Sequence, residues 1–170
     1  SLLTRHQFGF RSGRSTMDQL LLVYNAVSSH TDRGGVTDVI LFDFSKAFDV
    51  VCHDIMLSKL NSIGVEGHLL QWISSFLTGR KMSVCAKGHI SQPRNVLSGV
   101  PQGSVLGPLL FLIYINSVAS NLTSSYKIFA DDLKIYVCVH YHSPAQPPSS
   151  VVAVHSAINV LHATPASWAL

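Results

Sequence analysis

The chain has 170 residues, enough for one domain with a substantial core, of which 47% are apolar and only 12% charged. So lean a charged surface points to faces covered by further protein or by nucleic acid, and the net charge of +3 is compatible with a polyanionic partner without requiring one. Cys52, Cys85 and Cys138 lie far apart with no CxxC pair, against a disulfide framework or structural zinc. A reducing intracellular setting is the expectation, with no signal peptide and no apolar run of membrane-spanning length.

The opening stretch, residues 1–16, interleaves Gly9 and Gly13 with Arg11, Arg14 and aromatic residues, an irregular loop whose backbone can approach a phosphate chain. Ser15 or Thr16 is placed to cap a helix with Asp18 in its first turn. Leu20, Val23, Tyr24 and Val27 then share one face of that helix. After a loop around Gly34-Gly35, four apolar residues from Val39 to Phe42 predict a fully buried central strand ending in Asp43.

A helix opens at His53 or Asp54, points Met56, Leu57 and Leu60 inward and ends at Gly64. A second begins at Glu66, with Leu69, Leu70, Trp72, Ile73, Phe76 and Leu77 read as core, and stops at Gly79. Lys81–Ala86 and 94–97 predict a hairpin turning near Lys87-Gly88, and Arg80, Lys81 and Lys87 suit either nucleic acid or a solvated basic edge. Ser98-Gly99-Val100-Pro101-Gln102-Gly103 is a rigid loop aimed at a helix N-terminus, a candidate nucleotide wall. The helix predicted over 104–121 is apolar nearly all round, hence buried, with Pro108 tolerated in its first turns.

Apolar and polar residues alternate over 126–128 and 133–137, so Phe129-Ala130-Asp131-Asp132 sits at the tip of a β-hairpin. Adjacent carboxylates there repel and are costly to desolvate. Either they are solvated turn residues, or a divalent cation such as Mg²⁺ offsets the charge. Asp43 at a strand end would complete a set able to hold two metals for in-line nucleotidyl transfer. Beyond 139 a Pro- and Ser-containing linker and a weak helix over 156–170 are expected, and the nine histidines, His140 and His142 among them, read as incidental.

Four stretches, QFGFRSGRST (7–16), LFDFSKAFDVV (41–51), LSGVPQGSVLGPLLFLIYIN (97–116) and FADDLKIY (129–136), resemble in order and spacing the reverse transcriptase of non-LTR (LINE-like) retrotransposons. The resemblance covers nearly the whole chain and weakens over 140–157. It implies an α+β right-hand polymerase fold, an antiparallel palm sheet backed by helices: a partial fingers segment over 1–37, palm over 38–139, and over 140–170 a degenerate linker leading toward the following palm or thumb region. It implies RNA-directed DNA synthesis with two Mg²⁺ ions (Mn²⁺ as a substitute), an RNA template, a DNA primer and dNTPs as partners, and a nuclear site of action as one option.

By the same resemblance Asp43, Asp131 and Asp132 match the catalytic, metal-holding carboxylates, and the Phe44 carbonyl touches a metal. Backbone amides through Ser45, Lys46 and Ala47 hold the triphosphate, Phe48 stands where the family places its steric gate, and Gln102 lines the nucleotide pocket. Arg11 and Arg14 match a segment contacting the template backbone. Ser117 stands where the family usually has Asp, and Leu133 where it often has Thr; neither position is a metal ligand. The stretch is also expected to lack the earliest fingers motifs, a thumb, an endonuclease and a ribonuclease H region. A catalytically inactive remnant that at most binds nucleic acid is the competing expectation.

Overall fold

The computed structural model describes residues 2–119, 122–139 and 159. The linker and weak helix expected over 140–170, with His140 and His142, lie outside the described residues apart from Asn159. In chain order the elements are α1 (Thr16–Thr31), β1 (Val36–Phe42), α2 (His53–Ser62), α3 (Gly67–Leu77), β2 (Lys81–Met82), β3 (Cys85–Ala86), β4 (His89–Ile90), β5 (Arg94–Asn95), α4 (Leu106–Ile115), β6 (Ser125–Phe129) and β7 (Asp132–Val139). They fall into two compact units: one runs through Leu3–Ser45 and resumes at Ile115, the other is Lys46–Tyr114.

The first unit is built on an antiparallel sheet of order β1-β7-β6, with α1 lying against all its strands. Ile128, Leu133 and Ile135 are buried where β6 and β7 cross the core. β1 corrects the expectation of a buried central strand. It pairs only with β7 in the described sheet, so it is an edge, and Val39 and Leu41 stand exposed, Leu41 by 70%. An unbroken apolar run shows that a strand is present without fixing its place in the sheet.

α1 begins as expected. Asp18 N–H donates to Ser15 Oγ (3.1 Å) and Ser15 N–H donates to Asp18 Oδ2 (2.8 Å), a capping box. Its inward face keeps half-buried Val23 and Val27 of the expected set but not the other two. Gln19 and His30 are buried, while Leu20 and Tyr24 are exposed. Gln19 Nε2 has no hydrogen-bond partner among the described residues.

In the second unit α2 packs on α3 through Met56, Leu60, Ile73 and Leu77. Trp72, expected in the core, is exposed and stacks on Phe76 at 6.0 Å instead. The expected single hairpin is two short ladders, β2 with β5 and β3 with β4, the inner one turning through left-handed Lys87 and Gly88. α4 ends at Ile115 rather than 121, where Val118 N–H closes a turn onto the Ile115 carbonyl at 2.9 Å. Leu110, Phe111, Leu112 and Tyr114 are buried, but Leu109 is not.

Lys59 carries an unusual load in this unit. Its Nζ donates to the Tyr114 carbonyl at 2.5 Å and lies 4.9 Å from the centre of the Tyr114 ring. Burial pushes its pKa down from 10.5 to about 8. A folded pKa below the unfolded one penalises the charged form, so the unfolded chain binds more protons between pH 8 and 10.5, and stability rises with pH through that window. Lys59→Met is expected to flatten the rise, as a series of denaturant midpoints from pH 7 to 10 would read; an unchanged slope in the variant would locate the effect elsewhere.

Candidate active site

The β6–β7 pairing closes at Phe129↔Asp132, leaving Ala130 and Asp131 as a two-residue turn. Ala130 has φ 55, a left-handed conformation that costs an L-residue with a Cβ roughly 1–2 kcal/mol. Buried Gln7 holds it there. The Gln7 Oε1 accepts from Gly9 N–H (2.8 Å) and Ala130 N–H (2.9 Å), and its Nε2 donates to the Ala130 carbonyl (3.2 Å). Flanking backbone bonds, Phe8 N–H to the Ile128 carbonyl (2.8 Å) and Ile128 N–H to the His6 carbonyl (2.9 Å), lay residues 6–8 along β6.

Gly9 is therefore not a loop residue left open for phosphate. A Cβ on it would sit 2.3 Å from the Ala130 nitrogen, so its bareness is used by the turn that carries Asp131. Gln7 opens the 7–16 stretch, but the sequence assigns it no role, because a lone amide gives no periodic signal; its role shows only once Ala130 is seen to need support.

The ladder between β1 and β7 ends at Phe42↔Leu133, so Asp43, the residue after β1, and Asp132, the first residue of β7, fall at the same end of the sheet. Asp131 completes the set. Its carboxyl is held above the ordinary value, first by burial and then by the negative charges of Asp132 and Asp43. Asp131 thus senses the other two carboxylates, although among the described residues no three His, Cys, Asp or Glu side chains are drawn together tightly enough to hold a metal ion. As a donor set, hard oxygens with unrelieved mutual repulsion suit Mg²⁺.

The remaining expected residues lie as follows. Phe44 is half-buried, Ser45 and Lys46 are exposed, and Ala47 is buried. Lys46 adopts φ 51, and its carbonyl accepts from Asp49 N–H (2.8 Å). The Phe48 ring stacks on Phe111 at 4.1 Å between centroids. Gln102 Nε2 donates to Asp49 Oδ1 at 2.9 Å, at the wall of a cavity of about 440 Å³ that also meets Arg80, Lys81 and Gly99.

Arg11 and Arg14 brace their own loop. Arg11 Nη1 donates to the Thr4 carbonyl (2.8 Å), Arg14 Nη1 donates to the Arg5 carbonyl (2.6 Å), and the Arg14 guanidinium lies 4.6 Å over the Phe8 ring. Among the described residues no helix is long and apolar enough to cross a membrane.

Residues 1–159 match the protein family described as reverse transcriptase (RNA-dependent DNA polymerase). The chain is 36% identical over 143 residues to "Probable RNA-directed DNA polymerase from transposon X-element" of Drosophila melanogaster, covering 81% of this chain and 15% of that protein. It is 39% identical over 112 residues to the RNA-directed DNA polymerase from mobile element jockey of Drosophila funebris, covering 66% of this chain and 12% of the relative. The chain thus spans a small part of each relative's length. Among solved structures, telomerase from Candida albicans, in complex with a fragment of telomeric RNA, aligns with a TM-score of 0.65 at 13% identity, over 95% of this chain and 30% of that one. At that identity the likeness is one of fold, and it agrees with a palm built of helices and antiparallel sheet.

Proposed function

The chain belongs to the reverse transcriptase (RNA-dependent DNA polymerase) family, and we propose that it is the nucleotidyl-transfer core of an RNA-directed DNA polymerase, with residues 1–37 as part of the fingers and 38–139 as palm. The observation that carries this reading is Asp131, whose carboxyl is held above its ordinary value by burial and then by the charges of Asp132 and Asp43, at one end of a sheet. Their repulsion is the electrostatic debt a divalent cation cancels, so these residues would hold Mg²⁺ together with the Phe44 carbonyl. When bound, Mg²⁺ supplies the charge that acidifies a primer 3′-OH and neutralises a pyrophosphate leaving group.

The chain's own groups supply the rest. Backbone amides through Ser45, Lys46 and Ala47 bind the triphosphate, and exposed Lys46 adds a positive charge beside them. The Phe48 ring, fixed by its stack on Phe111, packs under the sugar and leaves no room for a 2′-OH. Gln102, oriented by Asp49, lines the nucleotide pocket. Arg11 and Arg14 stiffen the 4–14 loop and turn its basic surface toward the template backbone.

Extension of a DNA primer on an RNA template tests this directly. It is expected to require Mg²⁺ or Mn²⁺ and to stop on chelation. A chain that binds the RNA–DNA hybrid yet adds no nucleotide with either ion would move the assignment to a nucleic-acid-binding remnant.

A further inference from the structure

Two cationic or hydrogen-bonding side chains that none of the motifs above claims meet on a single carbonyl. Arg80 Nη2 donates to the Gly99 carbonyl at 2.6 Å, and His53 Nε2 lies 2.9 Å from the same oxygen. A carbonyl only accepts, so this His53 nitrogen carries the hydrogen. Arg80 is itself fixed from behind, its Nε donating to the Leu77 carbonyl at 2.7 Å, and His53 is 7% exposed at the start of α2.

The loop they grip is tied along its other side to the segment after the expected triphosphate amides. Gly99 N–H donates to the Val51 carbonyl (2.8 Å), Val100 N–H donates to the Phe48 carbonyl (2.9 Å), and Ser98 Oγ donates to the Asp49 carbonyl (2.7 Å). The approach is close enough that a Cβ on Gly99, whose φ is +85, would lie 2.8 Å from the Asp49 Cα. Past this seam the same loop delivers Gln102 onto Asp49. An ionised carboxylate can only accept, so the Gln102 NH₂ faces Asp49 and its Oε1 is left as an acceptor for a ligand. The backbone of Phe48 and the side chain of Gln102 are therefore set by one seam, and Arg80 and His53 close it.

We propose that Arg80 and His53 are positioning residues for nucleotide selection, acting through the Gly99 carbonyl on the seam between 48–51 and 98–102. The ligand class is a deoxynucleoside triphosphate, with its ribonucleotide counterpart as the species discriminated against. This rests on the reading of Phe48 and Gln102 as nucleotide-pocket residues. Discrimination by a ring packed against a sugar is a matter of fractions of an ångström, so loosening the seam should erode selectivity before it erodes folding.

The full 170-residue chain would be compared with Arg80→Ala, Arg80→Lys, His53→Phe and His53→Gln by amide hydrogen exchange and by equilibrium binding of dUTP and UTP, which differ only at the 2′ position. Arg80→Ala and His53→Phe are expected to speed exchange at the Gly99 and Val100 amides about tenfold, leaving Ile128 and Leu133 unchanged, and to shrink the dUTP-over-UTP preference about tenfold. His53→Gln, which keeps a donor, should restore both, and Arg80→Lys should fall between. Unchanged exchange would overturn the proposal. So would faster exchange with the preference intact, since the bonds would then be structural only, and so would a parent chain with no preference. Persistence of primer extension in Asp131→Asn would instead count against the polymerase assignment, and these binding measurements do not depend on it.

Discussion

Asp131→Asn is expected to lower Mg²⁺-dependent primer extension by about a thousandfold or more, a loss of about 4 kcal/mol of transition-state stabilisation, while leaving the protein at least as stable at neutral pH. The two halves of that expectation come from one fact. Asp131 titrates above the ordinary 3.8 because burial, Asp132 and Asp43 all oppose its charge. An acid whose folded pKa is raised binds its proton more tightly folded than unfolded. Stability is therefore gained as pH falls through the raised value toward 3.8, and the full penalty of the ionised form stands at every pH above it. Asparagine keeps the shape and deletes the charge, so the penalty disappears along with the ligand. The parent chain should melt higher when Mg²⁺ is added at pH 7, and the variant should not respond. A variant that extends primers, or that melts well below the parent, would show that this carboxylate is either not a ligand or is held by bonds that offset its repulsion.

How far the sequence could be read depended on whether a feature was written locally. The β6–β7 hairpin was legible because alternation on both flanks and a short polar turn sit within a dozen neighbouring residues. The capping box at Ser15 and Asp18 was legible for the same reason. β1 was legible as a strand but not as an edge, since pairing order is decided by β7, almost a hundred residues later. The face of α1 misled because its buried positions, Gln19 and His30, are polar, so apolar periodicity marks residues such as Leu20 and Tyr24 that stand exposed. Asp43, Asp131 and Asp132 could be named as a set because Asp43 follows an apolar strand and the pair sits at a hairpin tip; in the register Asp43 and Asp132 fall at the same end of the sheet. Gln7 and the Arg80–His53 grip on Gly99 could not be named, because each serves a backbone group whose need for a partner exists only in the folded chain.

Gly9→Ala is expected to be the most damaging small substitution near the aspartates, and by a route that touches none of them. Its new methyl would lie 2.3 Å from the Ala130 nitrogen and 2.9 Å from the Ala130 Cα, both backbone atoms with no flexible end to yield. The only relief is to part residues 7–9 from the turn. Doing so takes Gln7 Oε1 away from the Ala130 and Gly9 amides and leaves a side chain that is 2% exposed with polar atoms unserved. Ala130 would then keep its φ of 55 without the bonds that hold it. The Gln7 carbonyl and the two amides it serves, left unsatisfied, come to about 2–4 kcal/mol. Gly13→Ala is the control, since Gly13, unlike Gly9, has a positive φ but nothing lies within 4 Å of its added Cβ, and only the conformational penalty of about 1 kcal/mol should appear. Denaturant midpoints of the two variants separate the steric effect from the conformational one, and equal losses would remove Gly9 and Gln7 from any role at the turn. Because the turn sets where Asp131 projects, Gly9→Ala should also weaken the Mg²⁺-induced rise in melting temperature while all three carboxylates remain. The position of Asp131, as well as its charge, would then be what the metal reads.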